Sequence, residues 1–333
     1  MIVVTGATGR FGGAVVRTLR ALDLPVRTMV RKGSHYYWLN DTGCGYFFGD
    51  IRDPQSVRRC LRGASHLVVA NNIRRETKAN NHVDVTIAGQ TQMFEIAAEL
   101  GIQRIVLISC MGTELSTAPA FVARKAAEDA LIGSGVEYTI LRACIHEHAL
   151  LELAWEIHDK GSIRIPGAGT NQLNILPKVD LARMAAASLD LDSVRNQIVP
   201  VGGRDTTTFA EALEMACGIV GTPANFSHLP RAVVGLGSRI GKPFRRFANE
   251  IAEQQTWCST ELTVDVDSVE SRFGFPLTDL RESMISTNEI LKDMRDPERR
   301  DARMVHPQFY AEVYEPGTAD LNLLPDGPAP RKD

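Results

Sequence analysis

The sequence has no CxxC pair. Its six cysteines lie scattered at 44, 60, 110, 144, 217 and 258 of 333 residues. That spacing argues against a zinc or disulfide framework and suits reduced thiols in the cytoplasm. No apolar run is long enough to cross a bilayer. No charge of one sign dominates either: 37 Lys and Arg stand against 40 Asp and Glu, a net −3. No global field therefore draws nucleic acid or an anionic membrane. A strand that opens at Ile2 reads as leaving no room for a signal peptide. Internal repeats are missing. What remains, 44% hydrophobic and 23% charged residues, is an ordinary globular composition. It is enough for one large or two modest domains.

The most informative stretch is Thr5-Gly6-Ala7-Thr8-Gly9-Arg10-Phe11-Gly12-Gly13. An apolar run over 1–4 precedes it and reads as a buried strand. An apolar-periodic run over 14–22 follows and reads as a helix. A glycine turn between strand and helix is a phosphate-binding proposal rather than an ordinary loop. Gly6 permits the tight turn. Gly9 lets backbone N–H groups approach a pyrophosphate at the helix N-terminus. Gly12 lets helix and strand pack closely. Thr8, Arg10 and Phe11 fill the turn between them.

The first half alternates short β-like and longer helical runs. Strands are predicted over 26–30, 46–48, 66–70, 104–109 and 136–141. Helices are predicted over 54–61, 83–100 and 119–132. This rhythm implies an α/β fold of the Rossmann type, a doubly wound parallel sheet with ligands at the carboxyl ends of its strands. After Arg142 the rhythm loosens into helices over 150–158, 179–189 and 208–220, the last capped at Thr207. Strands fall over 163–165, 173–176 and 198–201. The expected division is a dinucleotide domain at 1–158, its sheet completed by parts of 172–202. A smaller, mostly helical substrate or lid region follows at 159–313. The Pro-, Gly- and Asp-rich stretch at 314–333 reads as a loose tail.

The end of the second strand bears on which dinucleotide fits. An NAD site usually places Asp or Glu there for the ribose hydroxyl. This chain has Arg31-Lys32, and two cations suit a 2′-phosphate. NADP(H) is therefore favoured over NAD(H), with Arg10 as a second cation, although Arg31 also reads as a solvated loop residue. Asp50 and Ile51, ending the third strand, stand where an adenine would lie; Asp50 reads equally as a plain turn residue. TGATGRFGG, VRK, GDIRD and RIVLISCMG together resemble the atypical short-chain dehydrogenase/reductases, the NmrA-like group in particular. The likeness is specific over 1–145 and weaker through KVDLARMAA and VPVGG. It implies NADP(H) bound by Gly6, Gly9, Gly12, Arg31 and Asp50, and a cofactor-facing loop at Ala70-Asn71-Asn72.

The resemblance also implies a Ser and a Tyr-x-x-x-Lys as the reacting groups. Ser109 matches the first and Lys125 the last, which would hold the cofactor ribose. Phe121 stands at the Tyr position, and Phe has no proton to give. A conjugated C=C or quinone-like ring needs less help from that Tyr, with Lys125, His146 or water supplying the proton. His146-Glu147-His148 lacks the spacing of a zinc motif. Cys110 and Cys144 read as buried small hydrophobes. The glycines at 235–242 imitate a P-loop, but Pro243 replaces the required Ser or Thr. Two functions follow. One is an NAD(P)H-dependent reductase of a hydrophobic small molecule, a biosynthetic type of activity. The alternative is a non-catalytic NADP(H)-binding sensor or assembly factor with a protein partner.

Overall fold

The structure, a computed structural model, describes residues 1–296 apart from 35, 72, 74, 75, 79 and 230–241. The P-loop-like glycines at 235–241, the tail from 314 and Asn72 lie outside the described residues. So do the side chains of Lys242, Arg245 and Arg246.

Seven strands form one sheet in the order β3-β2-β1-β4-β5-β6-β9. They are β1 (Ile2–Thr5), β2 (Val26–Val30), β3 (Gly45–Phe48), β4 (His66–Val69), β5 (Arg104–Cys110), β6 (Glu137–Ala143) and β9 (Gln197–Val201). Every pair is parallel. The strands alternate apolar residues between two buried faces, as a sheet covered on both sides requires. Val4, Val68, Val106 and Leu141 pack beneath Val15, Val16 and Leu19 of α1 (Arg10–Ala21). Leu150 and Leu151 of α5 (Glu147–Lys160) and Leu181 of α6 (Lys178–Ala187) join them. Val3, Leu67, Ile105, Leu107 and Ile140 face the other way. There they meet Val57 of α2 (Pro54–Leu61), Phe94 of α3 (Gln90–Glu99) and Leu131 of α4 (Pro119–Gly133). Each such side chain contributes about 1.5–3 kcal/mol by leaving water.

Three expectations are adjusted. The helix predicted over 83–100 is α-helical only from Gln90. Its first turns, His82–Gly89, are π-helical, with Gly89 pressed between the Asp84 carbonyl and Ile51. Of the segments expected to complete the sheet, only β9 does so. The strand expected at 173–176 is β8 (Gln172–Asn174), which pairs antiparallel with β10 (Thr206–Thr208) outside the sheet. The cap of α7 (Phe209–Val220) is Thr208, not Thr207, because Glu211 three residues on closes a capping box with Thr208.

The remaining elements gather at the carboxyl end and one side of the sheet. β7 (Ile163–Pro166) pairs with β11 (Phe226–Leu229). Then come α8 (Lys242–Trp257), α9 (Val266–Phe273) and α10 (Leu280–Arg295). Buried Glu147 at the start of α5 ties α10 down, accepting from Thr287 Oγ1 at 3.0 Å and Ser283 Oγ at 3.4 Å. No helix among the described residues is long and apolar enough to cross a membrane.

Candidate functional site

The β1–α1 turn is built around its glycines. Gly6 has φ +74°, and a Cβ there would fall 2.5 Å from the Ala70 carbonyl at the end of β4. A Cβ on Gly12 would fall 2.3 Å from the Gly6 oxygen. Both positions are closed to side chains. Gly9 differs: it is exposed, and a Cβ there would meet only the Gly6 oxygen at 3.1 Å, facing open space. Helix α1 starts at Gly9 with no side-chain cap and no acid in its first turn. Its leading N–H groups are left to an external anion, with the helix dipole behind them. Thr8 and Phe11 are half-buried in the turn. The cradle fits a pyrophosphate.

From the turn, one side of the site runs over β2 and β3. Arg31 is exposed at the end of β2 and donates to Asn80 Oδ1 at 2.9 Å. Asp50 accepts from the Arg52 backbone N–H at 2.9 Å and from the Arg52 guanidinium at 2.6 and 2.9 Å. That bonding holds the Asp50 carboxyl below its usual range, with Arg31 adding to the effect. Asp50 is thus fixed as the first residue of a turn, with Ile51 buried behind it. Arg10, the second cation expected near a 2′-phosphate, is directed elsewhere. Its guanidinium meets His148 Nδ1 at 2.9 Å and Glu152 Oε1 at 2.5 Å on α5. Asn71, just past β4, keeps its Oδ1 buried with no hydrogen-bond partner. A buried acceptor in that position awaits an external donor such as a hydroxyl.

The other side runs over β4, β5 and β6. Ser109 is buried, and its Oγ donates to Glu128 Oε1 at 2.5 Å. Glu128 has no exposure and is clamped by Arg142 Nη2 at 2.6 Å and Nε at 3.1 Å. The hydroxyl expected to serve a substrate belongs to this triad. Phe121 is fully buried against Cys110, Ala118, Ala252 and Trp257, with ring centroids 5.5 Å apart in the Trp257 pair. Lys125 is a third exposed and ion-paired with Asp129 on its own helix. His146 caps α5 and sets its ring edge-to-face on Phe11 at 4.4 Å. Cys110 and Cys144 are buried thiols, which burial pushes up to about 11 and about 12, so neither is a thiolate.

The inward cation of α4 is Arg124, a residue the sequence reading passed over for its neighbour. Its side chain is 12% exposed, ion-pairs with Glu253 of α8 at 3.3 Å and lies over the Phe121 ring at 5.7 Å. Cys110, ending β5, adjoins it. His82 and Glu76 complete the group, the Glu76 carboxylate accepting from the His82 N–H at 3.0 Å. Burial lowers the His82 pKa, so its ring is neutral near pH 7. On α4, buried Ala120, Ala123, Ala127 and Leu131 mark the sheet-facing stripe, and 124 and 128 border it on one side. Beyond Trp257 opens a cavity of about 600 Å³ lined by Asn171, His228, Cys258 and Glu261 among others. Asn171 Nδ2 reaches the Trp257 carbonyl at 2.8 Å.

Residues 6–157 match the family described as NAD(P)H-binding. The photosystem II assembly factor Ycf39 of Cyanophora paradoxa is 25% identical over 237 residues, 71% of this chain and 73% of that one. The NAD(P)H azoreductase of Xenophilus azovorans is 25% identical over 244 residues, 71% of this chain and 82% of that one. The NADPH complex of the Escherichia coli quinone oxidoreductase QOR2 superposes with a TM-score of 0.69 at 20% identity, over 86% of this chain and all of that one. That last likeness is one of fold. The match to an NAD(P)H-binding family over residues 6–157 coincides with the glycine cradle and the seven-stranded parallel sheet.

Proposed function

We propose that this chain is an NADPH-dependent reductase that delivers hydride to a conjugated C=C, quinone-like or carbonyl group of a hydrophobic small molecule. The observation that carries the reading is a nucleotide cradle at the carboxyl end of the sheet, with a sequestered charged group at the end of β5 in the same sheet. The phosphate end lies on the bare N-terminus of α1, and Arg124 with Glu253 lies beside Cys110 at the end of β5. Bound NADPH supplies the hydride, two electrons with one proton. The chain orients it: Gly9 and the α1 N–H groups take the pyrophosphate, Arg31 the 2′-phosphate, and Asn71 a ribose hydroxyl. Arg31, exposed at the end of β2, supports NADPH over NADH. Phe121 and Trp257 pack on each other beside Arg124 and would keep water from a nicotinamide laid there. Of the side chains first expected to act on substrate, Ser109 serves Glu128, Lys125 serves Asp129, and His146 braces Phe11.

A second reading, a non-catalytic NADP(H) binder with a protein partner, has its own support. Phe121 packed under Trp257 fills the place of the usual proton donor, and relatives include the Ycf39 assembly factors. NADPH oxidation followed at 340 nm against quinones, enones and ketones separates the two. Saturable turnover supports the reductase. Tight NADPH binding with no consumption across the panel supports the binder.

A further inference from the structure

The inner face of α4 holds a largely buried guanidinium over the ring of Phe121, the residue that stands at the phenol position of the family resemblance. Arg124 sits at the carboxyl end of β5, its side chain 12% exposed, against Cys110, the Phe121 ring and Glu253. The dinucleotide enters over the β1–α1 turn, with Arg31 and Asp50 marking its adenine side over β2 and β3. Strand order then carries its other end across β4 and β5, toward Arg124. Arg is never deprotonated in a protein, so it stabilises an anion without donating a proton.

We propose that Arg124 is a catalytic residue that binds the substrate oxygen which becomes negative as hydride arrives, and that it thereby selects conjugated acceptors over saturated ketones. The inference rests on the reductase reading above. Hydride from NADPH forms a C–H bond at the far carbon of a C=C–C=O unit, and NADPH becomes NADP⁺. The C=C electron pair shifts inward, and the carbonyl π pair moves onto oxygen beside the guanidinium. The product is an enolate, or a phenolate where a quinone ring is reduced, and water protonates it afterwards. A phenol-like oxygen holds its proton only up to a pH of about 10, whereas an alkoxide is a far stronger base, close to hydroxide. A site with a fixed cation and a phenylalanine in place of the phenol serves the first better than the second. Glu253 is the resident anion on Arg124 and competes with the developing oxyanion.

The test uses the full chain with NADPH and three acceptors: 2-cyclohexenone, a para-benzoquinone and cyclohexanone. The expected result is turnover of the first two and at least about 100-fold less of the third. Arg124→Gln lowers kcat about 100-fold, the scale of a lost oxyanion donor, and Arg124→Lys recovers part of it. NADPH affinity, read by fluorescence titration, stays within about threefold in both variants, and circular dichroism melting verifies that they fold. A second readout needs no turnover: 4-nitrophenolate binding, followed by its visible absorbance, weakens at least about tenfold in Arg124→Gln and tightens in Glu253→Gln. Wild-type turnover with an unchanged kcat in Arg124→Gln overturns the inference alone. So does a loss of NADPH affinity with kcat preserved, or cyclohexanone reduced as fast as the enone. NADPH bound and nothing reduced overturns the reductase reading, while nitrophenolate binding indifferent to Arg124 overturns the assignment of this residue on its own.

Discussion

Single residues decide which groups are available to a ligand and which belong to the protein. Ser109 lies on β5, in the region the resemblance points to, yet its hydroxyl is held at 2.5 Å by Glu128, and Glu128 by Arg142. Removing a buried partner strands the other charge. Arg142, however, keeps an exposed partner in Glu114 at 3.0 Å, so Glu128→Ala is expected to cost roughly 1–3 kcal/mol in a urea unfolding titration, with NADPH affinity retained in the folded fraction. A cost below about 1 kcal/mol would mean that the triad behaves as an exposed pair. Arg31 makes the opposite case, exposed and poised at the end of β2. Arg31→Ala should weaken NADPH binding about tenfold, or 1.4 kcal/mol, and leave NADH unchanged; equal loss for both would remove the 2′-phosphate assignment. The glycines, Arg31 and Asp50 were legible in the sequence because local turn chemistry fixes them. The inward turn of Arg124 was not, because one helical position, 100° of rotation, separates it from Lys125, and only α4 packing on β5 and α8 chooses between them.

At the scale of elements, the β1–α1 unit separates folding from binding within three glycines. A methyl on Gly12 would strike the Gly6 carbonyl at 2.3 Å, so Gly12→Ala must displace α1 from β1. A methyl on Gly9 meets only one atom, at 3.1 Å, and points to where a phosphate would sit. Gly9→Ala is expected to melt within about 2 °C of wild type, in keeping with a surface change below 0.5 kcal/mol, yet to lose NADPH binding. Gly12→Ala is expected to lose both. Calorimetry beside fluorescence titration checks the contrast, and a Gly9→Ala protein with normal affinity would contradict the cradle. The parallel strands were legible from their apolar runs. The π-helical turns at His82–Gly89 were not, since apolar periodicity does not distinguish wide helical turns from ordinary ones.

Across the whole molecule, the C-terminal helices join the apolar core of the sheet through Val269, Phe273, Leu280, Met284 and Leu291, and buried polar groups fasten them as well. Glu147 links α5 to α10, and Trp155 Nε1 adds a bond to Asn288 Oδ1 at 2.9 Å. Burial raises the Glu147 pKa above its ordinary 4.5. The folded state therefore holds that proton to a higher pH than the unfolded chain does. The stability this contributes is complete below pH 4.5 and is lost as pH rises through the raised value. Glu147→Gln carries no such titration. The stability of wild type relative to Glu147→Gln should thus decline as pH is raised from 4.5 to 7, measured by urea midpoints. A difference that stays level with pH would mean the carboxyl is ionised at little cost. The two small sheets pair strands 32–36 and 63 positions apart, and the placement of α8 over Phe121 depends on contacts more than a hundred positions apart, such as Ser116 with Thr256. No local sequence pattern encodes those contacts.

The central claim is that the dinucleotide held by the glycine cradle gives up its hydride within this chain. The most direct measurement is a single turnover: protein loaded with equimolar NADPH, mixed rapidly with a para-quinone and followed at 340 nm. The account predicts first-order bleaching of one NADPH per chain, at a rate that saturates with quinone concentration. Unchanged absorbance, with fluorescence showing NADPH bound, would contradict it and leave a dinucleotide-binding protein whose role lies with a partner.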